Sequence, residues 1–163
     1  MRVLGIIFSI ILSAAWFLAD FITKIWAVEN LSEPIMVNQF MNFRLAYNKG
    51  AAFSFLAEQG GWQRWFFIAL AVLICLWIIW ELFFKNLDFF NRFGLSSIFG
   101  GALGNLYDRA VNGKVVDFIQ WHYQDFYWPI FNIADVVITS GVVALILASF
   151  VQVKNSSTSA IDK

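Results

Sequence analysis

Apolar residues fall into four long blocks separated by shorter polar or aromatic stretches. The blocks run from Val3 to Val28, Trp65 to Phe84, Phe93 to Val111 and Ile130 to Val153. A helix needs about 20 residues to cross a bilayer, so the pattern predicts four transmembrane helices. The third block is the least apolar, because Gly94, Gly100, Gly101 and Gly104 interrupt it. Small residues permit close helix packing in lipid, although Gly100-x-x-x-Gly104 is a common spacing and says little alone. Arg2 followed by Val3–Ala19 has features of a cleavable leader. The run is long for that purpose and the apolar pattern resumes after Asp20, so an uncleaved first span is expected.

Between the blocks the period changes. In residues 29–64, Phe43, Leu45 and Tyr47 alternate with Asn42, Arg44 and Ala46, which predicts a half-buried strand. Asn48-Lys49-Gly50 then reads as a turn and Ala51–Leu56 as a second strand. Residues 108–129 carry Trp121, Tyr123, Phe126, Tyr127 and Trp128, as expected of a loop in the interfacial aromatic belt. The tail at 154–163 is polar and expected to be disordered. Residues 1–163 thus read as one integral-membrane domain, mainly α, with four transmembrane helices and a small β-sheet on the outer face. Basic residues divide almost evenly between the two sides. The short Lys85–Arg92 loop tips the choice towards both termini in the cytoplasm.

Composition narrows the class. The chain is 60% hydrophobic and 13% charged, against about 25% charged in a soluble domain. Its formal net charge is zero, so nothing points to nucleic acid as a partner. Cys75 is the only cysteine and His122 the only histidine, which excludes an internal disulfide and a His/Cys zinc site. Cys75 is expected to be a packed membrane cysteine and His122 a residue of the interfacial aromatic loop.

Candidate chemistry concentrates between Gly100 and Asp135. Asp135 stands directly before the uncharged run Val136–Val153. A carboxylate costs roughly 2.5–3.5 kcal/mol near the centre of a bilayer and less at its edge, so such a residue reads as functional by default. Asp117, in Val115–Ile119, is a second carboxylate able to pair with it; local pairing with Lys114 or Arg109 is the structural alternative. Two carboxyls at a partly dry site titrate as a coupled pair, one protonated and one charged, which suits hydrolysis by water. Asn132 lies three residues before Asp135, on the same face if both are helical. Asn48, Asn105 and Asn132 can donate and accept, and so suit backbone recognition or holding a carboxylate. Arg109, beside Asp108, could orient Asp117 or meet lipid phosphate. Asp20 and Lys24 are one helical turn apart and read as a self-neutralising structural pair. No H-E-x-x-H, G-x-S-G or G-x-G-D stretch is present, so in a hydrolase the aspartates must act. A proton- or ion-coupled transporter is the rival class, with Asp20 and Asp135 as relays; a membrane scaffold explains neither aspartate.

Five blocks in order bear a family resemblance: Asp20-x-x-Thr23-Lys24, Asn48-x-Gly50-Ala51-Ala52-Phe53, Gly101-Ala-x-Gly104-Asn105-x-x-Asp108-Arg109, Val115-Val-Asp117-Phe118 and Phe131-Asn132-x-Ala134-Asp135. The chain resembles the bacterial lipoprotein signal peptidases, or signal peptidase II. That resemblance implies a multi-pass aspartyl endopeptidase of the bacterial inner membrane, with its active site facing the periplasm. It implies Asp117 and Asp135 as the catalytic pair, Asn48, Asn105, Arg109 and Asn132 as pocket residues, and Asp20 and Lys24 as structural. Asp108 belongs with the structural polar residues. The implied partners are a diacylglyceryl-modified prolipoprotein, cut N-terminal to its lipidated cysteine, and membrane phospholipid. No metal or organic cofactor is implied, and a monomer is expected.

Overall fold

The computed structural model describes residues 2–50 and 61–161. Four helices carry it: α1 (Arg2–Asn30), α2 (Trp62–Phe84), α3 (Phe89–Asn112) and α4 (Ile133–Ile161). Among the described residues, α1, α2 and the Ile133–Phe150 part of α4 are long and apolar enough to cross a membrane. The expected strand at 51–56 lies outside the described residues.

The polarity of α3 has a packing reason. It is not among the helices long and apolar enough to cross a membrane, contrary to expectation, and it touches each of the other three helices, so its surface is largely covered by protein. Its small residues set the approach. A Cβ on Gly100 would sit 2.6 Å from the Ser13 carbonyl oxygen of α1, and one on Gly101 would sit 2.6 Å from that of Ala134 in α4. Ser13 Oγ donates to the Ser96 carbonyl at 2.9 Å, and Trp16 Nε1 to Ser97 Oγ at 3.2 Å, joining α1 to α3 through polar contacts. Arg92, expected in a loop, instead lies in the first turn of α3 behind the Asp88 N-cap. It is buried against α1 and α2, with Nη1 3.2 Å from Ser9 Oγ and 3.4 Å from the Leu82 carbonyl. Its basic head thereby helps satisfy the buried Leu82 carbonyl in the last turn of α2.

A four-stranded antiparallel sheet packs at the other end, in the order β1 (Ile35–Asn38), β2 (Met41–Asn48), β3 (Val115–Tyr123) and β4 (Phe126–Tyr127). The alternating run at 42–47 is indeed in a strand. The aromatic stretch read as a loop is corrected: β3 and β4 form a hairpin there, with His122 opposite Tyr127. Phe118 seats the sheet on the helices, in a cluster with Ala27 and Leu31 flanked by Phe43, Leu45, Ile119 and Ile133.

Two further boundaries move. Ile130 does not begin the fourth helix, because Phe131 is bridged to Ile119 in extended backbone and α4 starts at Ile133. Nor is the polar tail irregular up to residue 161, since α4 runs on to Ile161. Once nucleated, a helix propagates cheaply through a stretch without Gly or Pro.

Candidate active site

The site is assembled where β3, the end of β2 and the start of α4 meet α3. Asn132 is the pivot. Its Oδ1 accepts the Asp135 N–H at 3.0 Å, while Asp135 Oδ2 accepts the Asn132 N–H at 3.3 Å, a reciprocal cap on α4. Asn132 is therefore the cap of the helix and does not share a helical face with Asp135, contrary to expectation. Capping turns its Nδ2 towards the sheet, where it reaches Asp117 Oδ1 at 2.7 Å. Fully buried Asn132 thus touches both carboxylates.

Asp117 points inward from β3, paired in register with Ala46 of β2, and is buried. Two places along, Asn48 hydrogen-bonds it through its side chain, and the Asn48 Oδ1 is occupied by the Gly50 N–H at 2.9 Å. Asp135 receives a second amide, Asn105 Nδ2, at 2.9 Å on Oδ1. Burial and then the neighbouring Asp135 charge push the Asp117 carboxyl up from 3.8 to about 7; the Asn48 and Asn132 donors and the Lys24 charge oppose this. Lys114 lies over the Tyr47 ring at 3.4 Å. Among the described residues, neither Lys114 nor Arg109 joins Asp117 in an ion pair.

Behind the amides lies a buried ionic cluster. Lys24 Nζ is 2.7 Å from Asp20 Oδ2, 2.9 Å from Asp108 Oδ2 and 3.0 Å from Asn105 Oδ1. The expected Asp20–Lys24 pair is present but is not self-contained, since Asp108 shares the ammonium. Asp20 Oδ1 also accepts the Ala134 N–H at 2.8 Å, and Asp108 Oδ2 accepts the Val116 N–H at 3.1 Å. Each acid of the cluster therefore holds backbone beside one acid of the pair.

Arg109 closes another side, donating from Nη2 to the Gly50 carbonyl at 2.9 Å and lying over Phe67 at 5.2 Å. The acids, Asn48, Asn105 and Arg109 line one end of a cavity of about 550 Å³. Its remaining wall runs past Trp121, Trp128, Pro129 and Ile130 to Ile138, Thr139 and Ser140 of α4. Those wall residues were not singled out as a pocket from the sequence, where they look like ordinary span and belt residues. Cys75 is buried in α2, as expected of a packing cysteine, whereas His122 lies in β3 and not in a loop. Among the described residues no group of His, Cys, Asp and Glu could hold a metal ion.

Fold and site together define a multi-pass membrane protein with a carboxyl pair at one end of its helices, in a cavity that is polar around the acids and mostly apolar elsewhere. The comparisons agree with that class. A family model described as Signal peptidase (SPase) II matches residues 12–151. The lipoprotein signal peptidase of Dichelobacter nodosus strain VCS1703A is 53% identical over 139 residues, covering 85% of this chain and 90% of its own. That of Cellvibrio japonicus strain Ueda107 is 46% identical over 155 residues, covering 87% and 89%. A bacterial membrane enzyme solved by the in meso method at 2.3 Å superposes with a TM-score of 0.79 at 30% identity, over 90% of each chain. The chain belongs to the signal peptidase II family. It is accordingly a membrane protease.

Proposed function

We propose that the protein is an aspartyl endopeptidase that removes the signal peptide from diacylglyceryl-modified prolipoproteins, cutting N-terminal to the lipidated cysteine. One observation carries the mechanism: Asp117 and Asp135 open on the same cavity and share Asn132 between them. In this reading Asp117 is the protonated member and Asp135 the charged one. Asp135 takes a proton from water as the water oxygen bonds to the peptide carbonyl carbon. Asp117 gives its proton to the carbonyl oxygen. As the tetrahedral diol collapses, one hydroxyl returns its proton to Asp117 and the C=O re-forms, the C–N bond breaks, and the proton held by Asp135 goes to the departing amine. Asn48, Asn105 and Asn132 hold the pair, Arg109 supports the cavity, and Asp20, Lys24 and Asp108 hold the framework. No metal or cofactor takes part.

The apolar wall along α4 suits an apolar signal helix and acyl chains entering sideways from the bilayer. Each buried CH₂ contributes about 0.8 kcal/mol, so the lipid on the cysteine can set the depth of the bond to be cut. The placement that goes with this chemistry is the bacterial inner membrane, with α3 as a fourth span, the sheet on the periplasmic face and both termini cytoplasmic. Residues 1–163 then act as one peptidase domain, a monomer in contact with phospholipid. A transporter relay needs acids spread through depth; the convergence of Asp117 and Asp135 on one cavity argues against it.

The test uses purified protein in detergent or lipid, with a prolipoprotein carrying or lacking its diacylglyceryl group and with chelator present. Wild type is expected to cut only the lipidated form, while Asp117→Asn and Asp135→Asn stay folded and cut neither. Full cleavage by either variant removes the paired-acid mechanism. Folded wild type that cuts neither substrate removes the peptidase reading for these substrates.

A further inference from the structure

Three asparagine amides surround the acid pair, and each is held by a donor on its oxygen. The Gly50 N–H holds Asn48 Oδ1 at 2.9 Å, and the Asp135 N–H holds Asn132 Oδ1 at 3.0 Å. Those donors are backbone and come with the fold. Asn105 differs: its Oδ1 receives a side-chain ammonium, Lys24 Nζ at 3.0 Å, with Asn132 Nδ2 as a second donor at 3.0 Å. The two ends of an amide are nearly equal in size, so its orientation is decided by its hydrogen-bond partners. An ammonium only donates. It therefore accepts no approach by the Nδ2 end, and that end is left facing Asp135 Oδ1 at 2.9 Å.

We propose that Lys24 is a positioning residue for the acid pair, acting through Asn105 to keep an N–H on Asp135. The inference rests on the reading of Asp117 and Asp135 as the catalytic pair. Lys24 does not touch the acids itself; its three donors go to Asp20, Asp108 and Asn105. Asp20 and Asp108 fix the ammonium from two sides, on α1 and α3, so its third hydrogen has one direction left. This makes the cluster more than a neutralised membrane pair. It carries orientation from α1 to the first turn of α4 through a single amide of α3.

Removing the ammonium alone would leave two buried carboxylates without it, which itself destabilises. The test therefore compares Asp20→Asn with Asp20→Asn/Lys24→Met and with Asp20→Asn/Asn105→Asp; the Asn105→Asp change, also made in wild type, still accepts from Lys24 but leaves no N–H for Asp135. The combination of all three substitutions completes the cycle. Readouts are kcat and KM on a lipidated prolipoprotein, and thermal unfolding in detergent. Loss of the Lys24 ammonium and loss of the Asn105 N–H are each expected to lower kcat about tenfold or more, the scale of a hydrogen bond to a charged group. KM should stay within about twofold, because the amide faces the acids and not the bound chain. The combined variant should be no slower than its Asn105→Asp member predicts alone. Additive losses, or an unchanged kcat in Asn105→Asp, overturn the proposal. Should the Lys24→Met variant fail to fold, Lys24→Gln in the Asp20→Asn background decides, because it keeps a polar side chain that can turn either end to Asn105 but has no ammonium: folded and slow supports the proposal, folded and as fast as Asp20→Asn overturns it. Cleavage retained by Asp117→Asn or Asp135→Asn would instead remove the acid-pair reading. Both of those inactive, with the Lys24 and Asn105 series at full speed, removes this inference only.

Discussion

Asn132 and Asp135 hold each other across the first turn of α4, each backbone N–H bonded to the other's side chain at 3.3 and 3.0 Å. One residue pair thus starts the helix and sets the position of a carboxylate. The same Asn132 amide spends its nitrogen on Asp117. Stability and chemistry are coupled at this point, and they can be separated. Asn132→Ala is expected to lose both, with about 1 kcal/mol from the cap alone. Asn132→Ser keeps a good capping oxygen but is too short to reach Asp117. It should recover much of the lost unfolding temperature and little of the lost turnover. Equal recovery of both would show that the amide has no separate role at Asp117. Thermal scans and cleavage rates on the same preparations check this.

The Asp117 carboxyl, pushed up to about 7 mainly by burial, gives two pH dependences of known sign. Between its ordinary value of 3.8 and about 7 the folded protein holds a proton there that the unfolded chain releases. Through this group, stability is therefore highest below pH 4 and declines as pH rises towards 7. Asp117→Asn removes that decline, so the gap between variant and wild-type unfolding temperatures should widen from acid to neutral pH. If Asp117 must be protonated to act, wild-type turnover also falls above about pH 7. A flat rate from pH 6 to 9 would assign the donor role elsewhere.

Gly104 faces Asp20, and a Cβ there would overlap Asp20 Oδ2. Overpacking of this kind costs about 1–3 kcal/mol. Here the atom pushed is a ligand of Lys24, so the effect should spread beyond stability. Gly104→Ala is expected to lower the unfolding temperature and reduce turnover, whereas the isomeric exchange Leu73→Ile at an exposed position of α2 should change neither. Wild-type turnover in a measurably destabilised Gly104→Ala protein would uncouple the ionic cluster from the acids.

Much of this architecture could be read from residue patterns, for reasons specific to each part. The apolar blocks were legible because lipid imposes a length and forbids charge. β2 was legible because Phe43 and Leu45, which pack on the Ala27, Leu31 and Phe118 cluster, alternate with the polar Asn42 and Arg44. β3 was not, because Val115, Val116, Asp117 and Phe118 are all buried. A strand covered on both faces shows no period of two. Its hairpin turn was also silent: Gln124 takes the positive φ of 52° there, where an Asn-Gly pair would have been the usual signal. Asp135 stood out by its place before an apolar run, and Asp117 only as a possible partner; the family resemblance made them a pair. That Lys24 shares its charge with Asp108 and an amide 81 residues away was beyond any local pattern.

Arg64 is a residue that sequence reading left as a loop charge, and it latches α2 to the end of α3. Its Nε donates to the Arg109 carbonyl and its Nη2 to the Ala110 carbonyl, both at 2.8 Å. These carbonyls lie in the last turn of α3, where orphan acceptors and the negative end of the helix dipole favour a cation. Gly113, in the left-handed conformation at φ 72°, adds its own N–H to the Arg109 carbonyl at 3.2 Å. The backbone of Arg109 is therefore gripped twice while its side chain lines the cavity. A lysine cannot reproduce a fork onto two carbonyls. Arg64→Lys and Arg64→Ala are both expected to destabilise by about 1 kcal/mol, alanine the more, as a charge-assisted contact is lost from a helix end. The grip on Arg109 should loosen in step, raising KM for lipidated substrate more than it lowers kcat. A fall in kcat with KM unchanged would instead mean that Arg64 acts on the acids and not on the cavity wall.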